Sequence, residues 1–369
     1  MSVTLATAGT PFPGSAFASP IYRIPALTRT GTGRLIVAFD VREDWRDLPA
    51  DFDLAYMVSD DNGKTWSRPR PLRAHTPGHG FGDASLTYDP SSGIILCWYV
   101  GSTGESYFSA RPGGPGLELW LATSDDDGQT WSHRDFSFLR PANVGGMFTA
   151  SGNGAVGHGG LLLQPFVARI DDENWAITAR SYDHGDTWSM GEPVGPHCDE
   201  NKVIALPDDS ILMHARSRPH RYWAISTDDA QHFSSPQSDL SLTDPACNGG
   251  LCECGGVMLA SMCDDPSERT RLGIHVSVDN GRTWSPAIII DEGACAYSVM
   301  TALDDDHVVV VWEADDYLTL QCAIYSLSEL GLMRNGDCWS WDSDRVTLSP
   351  RGVQEGCAAV AKPPVVNAN

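Results

Sequence analysis

One eight-residue phrase returns along the chain: SDDNGKTW from Ser59, SDDDGQTW from Ser124, SYDHGDTW from Ser181 and SVDNGRTW from Ser277. Four recurrences of SxDxGxTW demand a repeated structural unit. A fifth, degraded copy, STDDAQHF from Ser226, has Ala230 in place of the glycine and Phe233 in place of the tryptophan. The five starts are separated by 65, 57, 45 and 51 residues. That is the scale of a four-stranded propeller blade, and too long for an ankyrin or tetratricopeptide unit. Within each copy the Ser and Asp side chains can bond nearby backbone N–H groups, and the glycine supplies the positive φ of a tight reversal. The phrase therefore reads as a turn. Trp66, Trp131, Trp188 and Trp284 then enter the next strand and are expected to pack rather than to stack on a sugar.

Between the boxes lie short β-rich runs bounded by turn residues, such as RLIVAFDV at 34–41, GIILCWYV at 93–100, VIALPDDSILMHA at 203–215 and HVVVVWE at 307–313. No segment sustains a helical period. Five boxes and about 61 residues per unit suit an all-β, six-bladed propeller of four-stranded antiparallel blades, its termini contributing to a closing blade. ARPGGPG at 110–116 reads as a loop within the ring, so residues 1–369 are expected to form a single domain.

The chain carries 48 Asp+Glu against 25 Lys+Arg, a formal charge of −23. Without a basic cluster, such a surface is repelled by nucleic-acid phosphates and anionic lipid heads, so neither partner is expected. The first thirty residues lack the charged start and apolar stretch of a secretory leader, and no window reaches the length of a membrane span. As written, the expectation is a cytoplasmic protein, or a secreted one if a leader has been removed. Ten cysteines then read as reduced, with Cys97 and Cys322 inside apolar runs. Cys247, Cys252, Cys254 and Cys263 form the one metal-like grouping, but their spacing does not repeat a CxxC unit and no metal is expected.

Hairpin geometry places polar residues. In an antiparallel hairpin, residues equidistant from the turn lie side by side. By this count Arg23 pairs with Arg42 across Gly31-Thr32-Gly33, Glu200 with Arg216 across Pro207-Asp208-Asp209, and Tyr297 with Glu313 across Asp304-Asp305-Asp306. Each pair sits at the open end of its hairpin, while the boxes close the other end of neighbouring strands. Arg269, eight residues before the box at Ser277, lies about one strand length from that turn and reaches the same end. Much of the Asp thus belongs to turns on one face, and three or four arginines gather at the opposite mouth. Converging Arg forks bind an anion, most naturally a carboxylate held bidentately.

YRIPAL at 22–27 followed by the SxDxGxTW boxes resembles the exo-sialidases, the neuraminidases of cellular organisms. The resemblance runs from YRIPAL to the region of Glu313. It implies that Arg23, Arg216 and Arg269 hold the sialic acid carboxylate, with Arg271 an alternative for the third. It implies that Glu313 positions Arg23 and that Tyr297 is the nucleophile with Glu200 as its partner. An acid/base aspartate a few residues beyond Arg42 corresponds to Asp47, with Asp51 and Asp53 in the same loop. Asp83 resembles a residue lining the substrate pocket, and Tyr99, Tyr107 and Phe108 are candidates for shaping it around the amide or glycerol arm. A tyrosine nucleophile suits a sugar whose anomeric carbon already bears a carboxylate, because a second carboxylate there is repelled. With an ordinary pKa near ~10 it needs a base, Glu200, while Asp47, protonated beforehand, serves the leaving oxygen. The implied activity is retaining hydrolysis of terminal α-linked sialic acid from oligosaccharides or glycoconjugates, without cofactor. A hydrolase of KDN or Kdo on the same scaffold, or a sialic-acid-binding lectin, are the alternatives.

Overall fold

The computed structural model describes residues 2–336 and 338–352. The chain is all-β: the helical turns among the described residues are two three-residue 3-10 segments, Ser137–Leu139 and His158–Gly160. Strands follow one another as antiparallel meanders. Ile21–Arg29, Leu35–Arg42, Phe52–Ser59 and Arg70–Arg73 make one four-stranded sheet, and Asn201–Ala205, Ile211–Ala215, His220–Ser226 and Gln237–Thr243 another. Two five-stranded sheets are built around Gly80–Tyr88 and Leu162–Ile170. A seven-stranded sheet turns on the fifteen-residue strand Ile288–Ala302. The first part of that strand pairs with Thr270–Ser277; its second part pairs with His307–Ala314 after a bulge at Cys295 to Ser298. It thereby joins two four-stranded meanders.

The outer strand of the last meander comes from the other end of the chain. Val3–Thr7 pairs with Thr319–Ser326, Val3 opposite Cys322. After this meander, Leu330–Asn335 and Cys338–Val346 form a separate two-stranded sheet. Interior strands such as Leu35–Arg42 and Phe52–Ser59 are buried along their whole length, as strands covered on both faces must be.

The boxes are closed by their own side chains. In the first, Ser59 donates to Asp61 Oδ1 (2.9 Å), Gly63 N–H to Ser59 Oγ (2.8 Å), and Thr65 gives its N–H (2.8 Å) and hydroxyl (2.6 Å) to the same carboxylate. The degraded copy keeps this geometry: Ala230 takes φ 59° and His232 Nδ1 stands 2.7 Å from Asp228 Oδ2 where the others use threonine. These hydrogen bonds lower the pKa of Asp61 to about 2, and those of His232 do the same for Asp228. A folded pKa below the ordinary ~3.9 stabilises the fold above that value, and the contribution is lost as pH falls towards 2. The melting temperature should therefore drop between about pH 4 and pH 2, with a shallower slope in Asp61→Asn; calorimetry across that window measures it.

Register fixes which strand ends share a face. Ile21, Arg42 and Phe52 align at one end of the first meander, and Arg29, Leu35 and the box residue Ser59 at the other. Asn201, Ala215 and Tyr222 stand opposite the box residue Ser226 in the same way. The polar hairpin ends therefore lie away from the boxes.

Candidate active site

The first arginine comes from YRIP. Ile24 adopts φ 58°, a left-handed conformation that a β-branched residue takes at a cost of order 1–3 kcal/mol, inside a bulge between Arg23 and Ala26. The twist turns the Ile24 N–H to Glu313 Oε1 (2.8 Å), while Arg23 Nε and Nη2 donate to Glu313 Oε1 and Oε2 at 3.0 and 3.3 Å. The bulge also shifts the register, so Arg23 faces Asp40 and Arg42 faces Ile21. Arg23 and Arg42 are thus not the direct pair that equal counting from the turn gives. Glu313 is fully buried, and its Oε2 accepts the Tyr297 N–H as well (3.3 Å).

Glu200 and Arg216 keep the counted register, with Arg216 N–H donating to Glu200 O at 2.9 Å. Arg216 Nη1 donates to Glu200 Oε2 and, at 3.0 Å, to Tyr297 Oη. The same guanidinium nitrogen thus ties Tyr297 to Glu200, whose charge acts on the phenol. Arg269 Cζ lies 5.5 Å from the Tyr297 ring centre, and Arg23 Cζ lies at the same distance. Arg271 instead points outwards and pairs with Glu292 at 2.7 Å, so Arg269 is the one brought to the cluster.

The cluster sets its own ionisation. Burial raises the Tyr297 phenol well above its ordinary value, and Glu200 adds to this while Arg216, Arg269 and Arg23 oppose it. Burial likewise raises Glu200 against the pull of Arg216. The phenol is neutral with a comparatively basic carboxylate in contact.

Arg42 is buried between two carboxylates, Asp40 (2.7 Å) and Asp47 (2.8 Å), over the ring of Phe52 at 4.5 Å. It fixes Asp47 through Nη1 and gives Nε and Nη2 to Asp40. Asp47 stands in the open mouth with 78% of its side chain accessible, yet ringed by enough protein to lose hydration. That loss raises its pKa, but the charge and hydrogen bond of Arg42 and the charges of Arg23 and Arg216 outweigh it, leaving the carboxyl below its ordinary value. Its two loop rivals turn elsewhere: Asp51 accepts the Gly78 N–H (2.8 Å) and Asp53 accepts from His75 (2.7 Å). Asp83 lies beside this group, its N–H donating to Asp40 Oδ1 at 3.0 Å. Burial pushes Asp40 up to about 6 against the pull of Arg42, and raises Asp83 with help from the Asp40 charge.

Of the aromatic candidates, Tyr99 is a core residue, fully buried with its hydroxyl 2.9 Å from His133 Nδ1. Tyr107 donates to Asn174 (2.8 Å), whose Nδ2 donates to Asp199 (3.0 Å), itself 3.7 Å from Arg216. Phe108 beside it is exposed.

Several partners escaped the sequence reading. Tyr317 accepts from Arg269 Nη1 (3.1 Å) and places its ring 4.7 Å from Arg23 Cζ. It closes a run of three positive-φ residues, Asp315, Asp316 and Tyr317, a conformation no spacing rule announces. Arg351 holds Asp315 through two bonds of 2.9 and 2.6 Å and Asp291 through a third of 3.1 Å. The four cysteines of the metal-like grouping do not converge: Cys254 Sγ donates to Asp304 O (3.2 Å), whereas Cys263 Sγ lies 3.6 Å from Cys295 Sγ.

A sequence profile described as a BNR repeat-like domain matches residues 75–310, and a BNR/Asp-box repeat matches 57–68. The chain belongs to the BNR repeat-like family. Its relatives bear out the exo-sialidase resemblance. Over 359 residues this BNR-family chain is 31% identical to a sialidase of Micromonospora viridifaciens, covering 90% of this chain and 55% of the relative. It is 26% identical over 336 residues to a sialidase of Bacteroides fragilis, covering 80% and 60%. Among solved structures, the Hadza microbial sialidase Hz136 superposes with a TM-score of 0.76 at 25% identity, covering 83% of this chain and 66% of that one. The chain spans somewhat more than half the length of the two curated relatives.

Proposed function

We propose that the chain is a retaining exo-sialidase that releases terminal α-linked sialic acid from oligosaccharides or glycoconjugates through a tyrosyl intermediate. The observation that carries this reading is Tyr297, flanked by three arginines and tied to Glu200 through the Arg216 nitrogen that donates to both. Arg23, Arg216 and Arg269 offer donors to one carboxylate, which orients the sugar with its anomeric carbon at Tyr297. Glu200 takes the phenolic proton as Oη attacks. Asp47 gives a proton to the departing glycosidic oxygen, then receives one from the water that displaces the tyrosyl oxygen from the anomeric carbon, and Glu200 returns its proton to that oxygen. Asp47 is held ionised in the free chain by arginine charge. A bound carboxylate neutralises Arg23 and Arg216 and the sugar covers the mouth, so both effects raise Asp47 towards the protonated form it needs. Asp83 borders the same pocket from the side of Asp40.

The sheets support a six-bladed ring in one domain; of the expected span 1–369, residues 1, 337 and 353–369 lie outside the described residues. The seven-stranded sheet divides at Ile288–Ala302 into two blades, the two five-stranded and two four-stranded sheets supply one each, and Val3–Thr7 completes the last.

Matched aryl α-glycosides of N-acetylneuraminic acid, KDN and Kdo test the assignment. The expected result is turnover of the first, with NMR showing the α-anomer as the initial product. Turnover of KDN or Kdo alone would move the substrate class, and binding without turnover would make the chain a lectin. Asp47→Asn should lose about 10²-fold or more on a sialyl-oligosaccharide and far less on an aryl glycoside, whose leaving group departs unaided. Equal losses on both would remove Asp47 from the acid's place.

A further inference from the structure

One charged group buried beneath the mouth, Lys202, has no part in the chemistry above. Lys202 is 1% exposed and lies two residues along from Glu200 on the strand Asn201–Ala205. Burying an ammonium is costly unless its protons are all placed. Here Nζ donates to Asn248 Oδ1 (2.8 Å), Ala150 O (3.1 Å) and Asn201 O (3.4 Å), all neutral acceptors. Gly152 makes the room, since a Cβ there would stand 3.0 Å from Lys202 Cε.

Asn248 is the link to the site. Its Nδ2 donates to Ala150 O (3.0 Å) and, at 3.4 Å, to Glu200 Oε1. An amide can present either its oxygen or its nitrogen in a given direction, and a neighbour that only donates removes that freedom. With Lys202 on Oδ1, the NH2 must face Glu200. A flipped amide would set Nδ2 against the ammonium and Oδ1 against the carboxylate. Glu200 is then held at both oxygens, by Asn248 on Oε1 and by Arg216 on Oε2.

We propose that Lys202 is a positioning residue that locks the Asn248 amide and through it holds Glu200 against Tyr297. This rests on the reading of Glu200 and Tyr297 as a base and nucleophile pair. The charged groups facing Lys202 are Glu200 and Arg221; those facing Glu200 are also Arg216, Asp199, Asp83 and the Tyr297 phenol. Burial brings the lysine down to about 7, with the Glu200 charge opposing and the Arg221 charge assisting. Its loss therefore removes a cation that favours ionised Glu200.

Three variants, Lys202→Met, Lys202→Gln and Asn248→Ala, are compared with the unaltered chain by kcat and KM on an aryl α-sialoside. Carbon-13 NMR titration of Glu200 in the ligand-free proteins accompanies this, its resonance assigned by loss in Glu200→Gln. Lys202→Met and Asn248→Ala should each lower kcat by about 10²-fold with KM within about threefold, as expected when a base is misplaced by around an ångström. Lys202→Gln, which still donates to Asn248 Oδ1, should recover most of kcat. Both lysine variants should raise the Glu200 pKa. Unchanged kcat in Lys202→Met, or equal losses in the Met and Gln variants with Glu200 titrating as before, would overturn the proposal. If Lys202→Met does not fold, the Gln and Asn248 variants decide alone. If the unaltered chain hydrolyses no sialoside, the sialidase reading fails, while the NMR titration still tests the lysine.

Discussion

Replacing Tyr297 by phenylalanine is expected to lower kcat on an aryl α-sialoside by roughly 10³-fold or more, with affinity for free sialic acid within about threefold of the parent. The ring would remain between Arg23 and Arg269, each 5.5 Å from its centre, so the carboxylate-binding forks keep their packing surface. What disappears is the hydroxyl, with the 3.0 Å contact from Arg216 and, in the proposed mechanism, the proton passed to Glu200. The buried hydroxyl is replaced by a group of the same shape, so the melting temperature should change little. Residual turnover should lose net retention, because water attacking directly arrives from the opposite face. Full hydrolysis in Tyr297→Phe, with retention intact, would require another nucleophile.

A large stability effect is expected at Glu313. Its carboxylate accepts four donors: two from Arg23, the Ile24 N–H in its left-handed turn, and the Tyr297 N–H. Glu313→Leu strands a mostly buried guanidinium and two buried amides. Breaking a buried pair by removing one member costs about 3–5 kcal/mol, so the melting temperature of a chain this long should fall by roughly 4–7 °C. Sialoside KM should rise about tenfold or more, since an unheld Arg23 must be ordered by each ligand. Glu313→Gln keeps the shape and part of the acceptance, and should fall between. Thermal melts with KM measurements check both effects; a wild-type melt in Glu313→Leu would show that Arg23 finds another anion, such as Asp40 across the register.

Much of this arrangement was legible in the sequence. The boxes mark the far end of each third strand, and equal counting from the Pro207-Asp208-Asp209 turn places Glu200 against Arg216 because that hairpin has no bulge. The same count misplaces Arg42, because the bulge at Ile24 inserts residues that counting takes as paired. Asp40 reads as one more residue in an apolar strand, and only its burial against Arg42 shows its part. Tyr317 reaches Arg23 and Arg269 through a left-handed run, and Asn248 reaches Glu200 from a different meander. Such contacts belong to tertiary geometry and leave no local period or spacing. Arg269 and Arg271 stand two apart, which in a regular strand puts both on one face; the left-handed backbone at Arg271 (φ 56°) and its partner Glu292 are what separate them.

The pairing of Val3–Thr7 with Thr319–Ser326 has a kinetic meaning. The Arg23–Glu313 contact spans 290 positions, so the first and last sheets must meet before a carboxylate site exists. Closing so long a loop is slow to be rewarded, and earlier sheets can form without it. During refolding, circular dichroism should recover ahead of catalytic activity, and the lag would time the meeting of the first and last sheets.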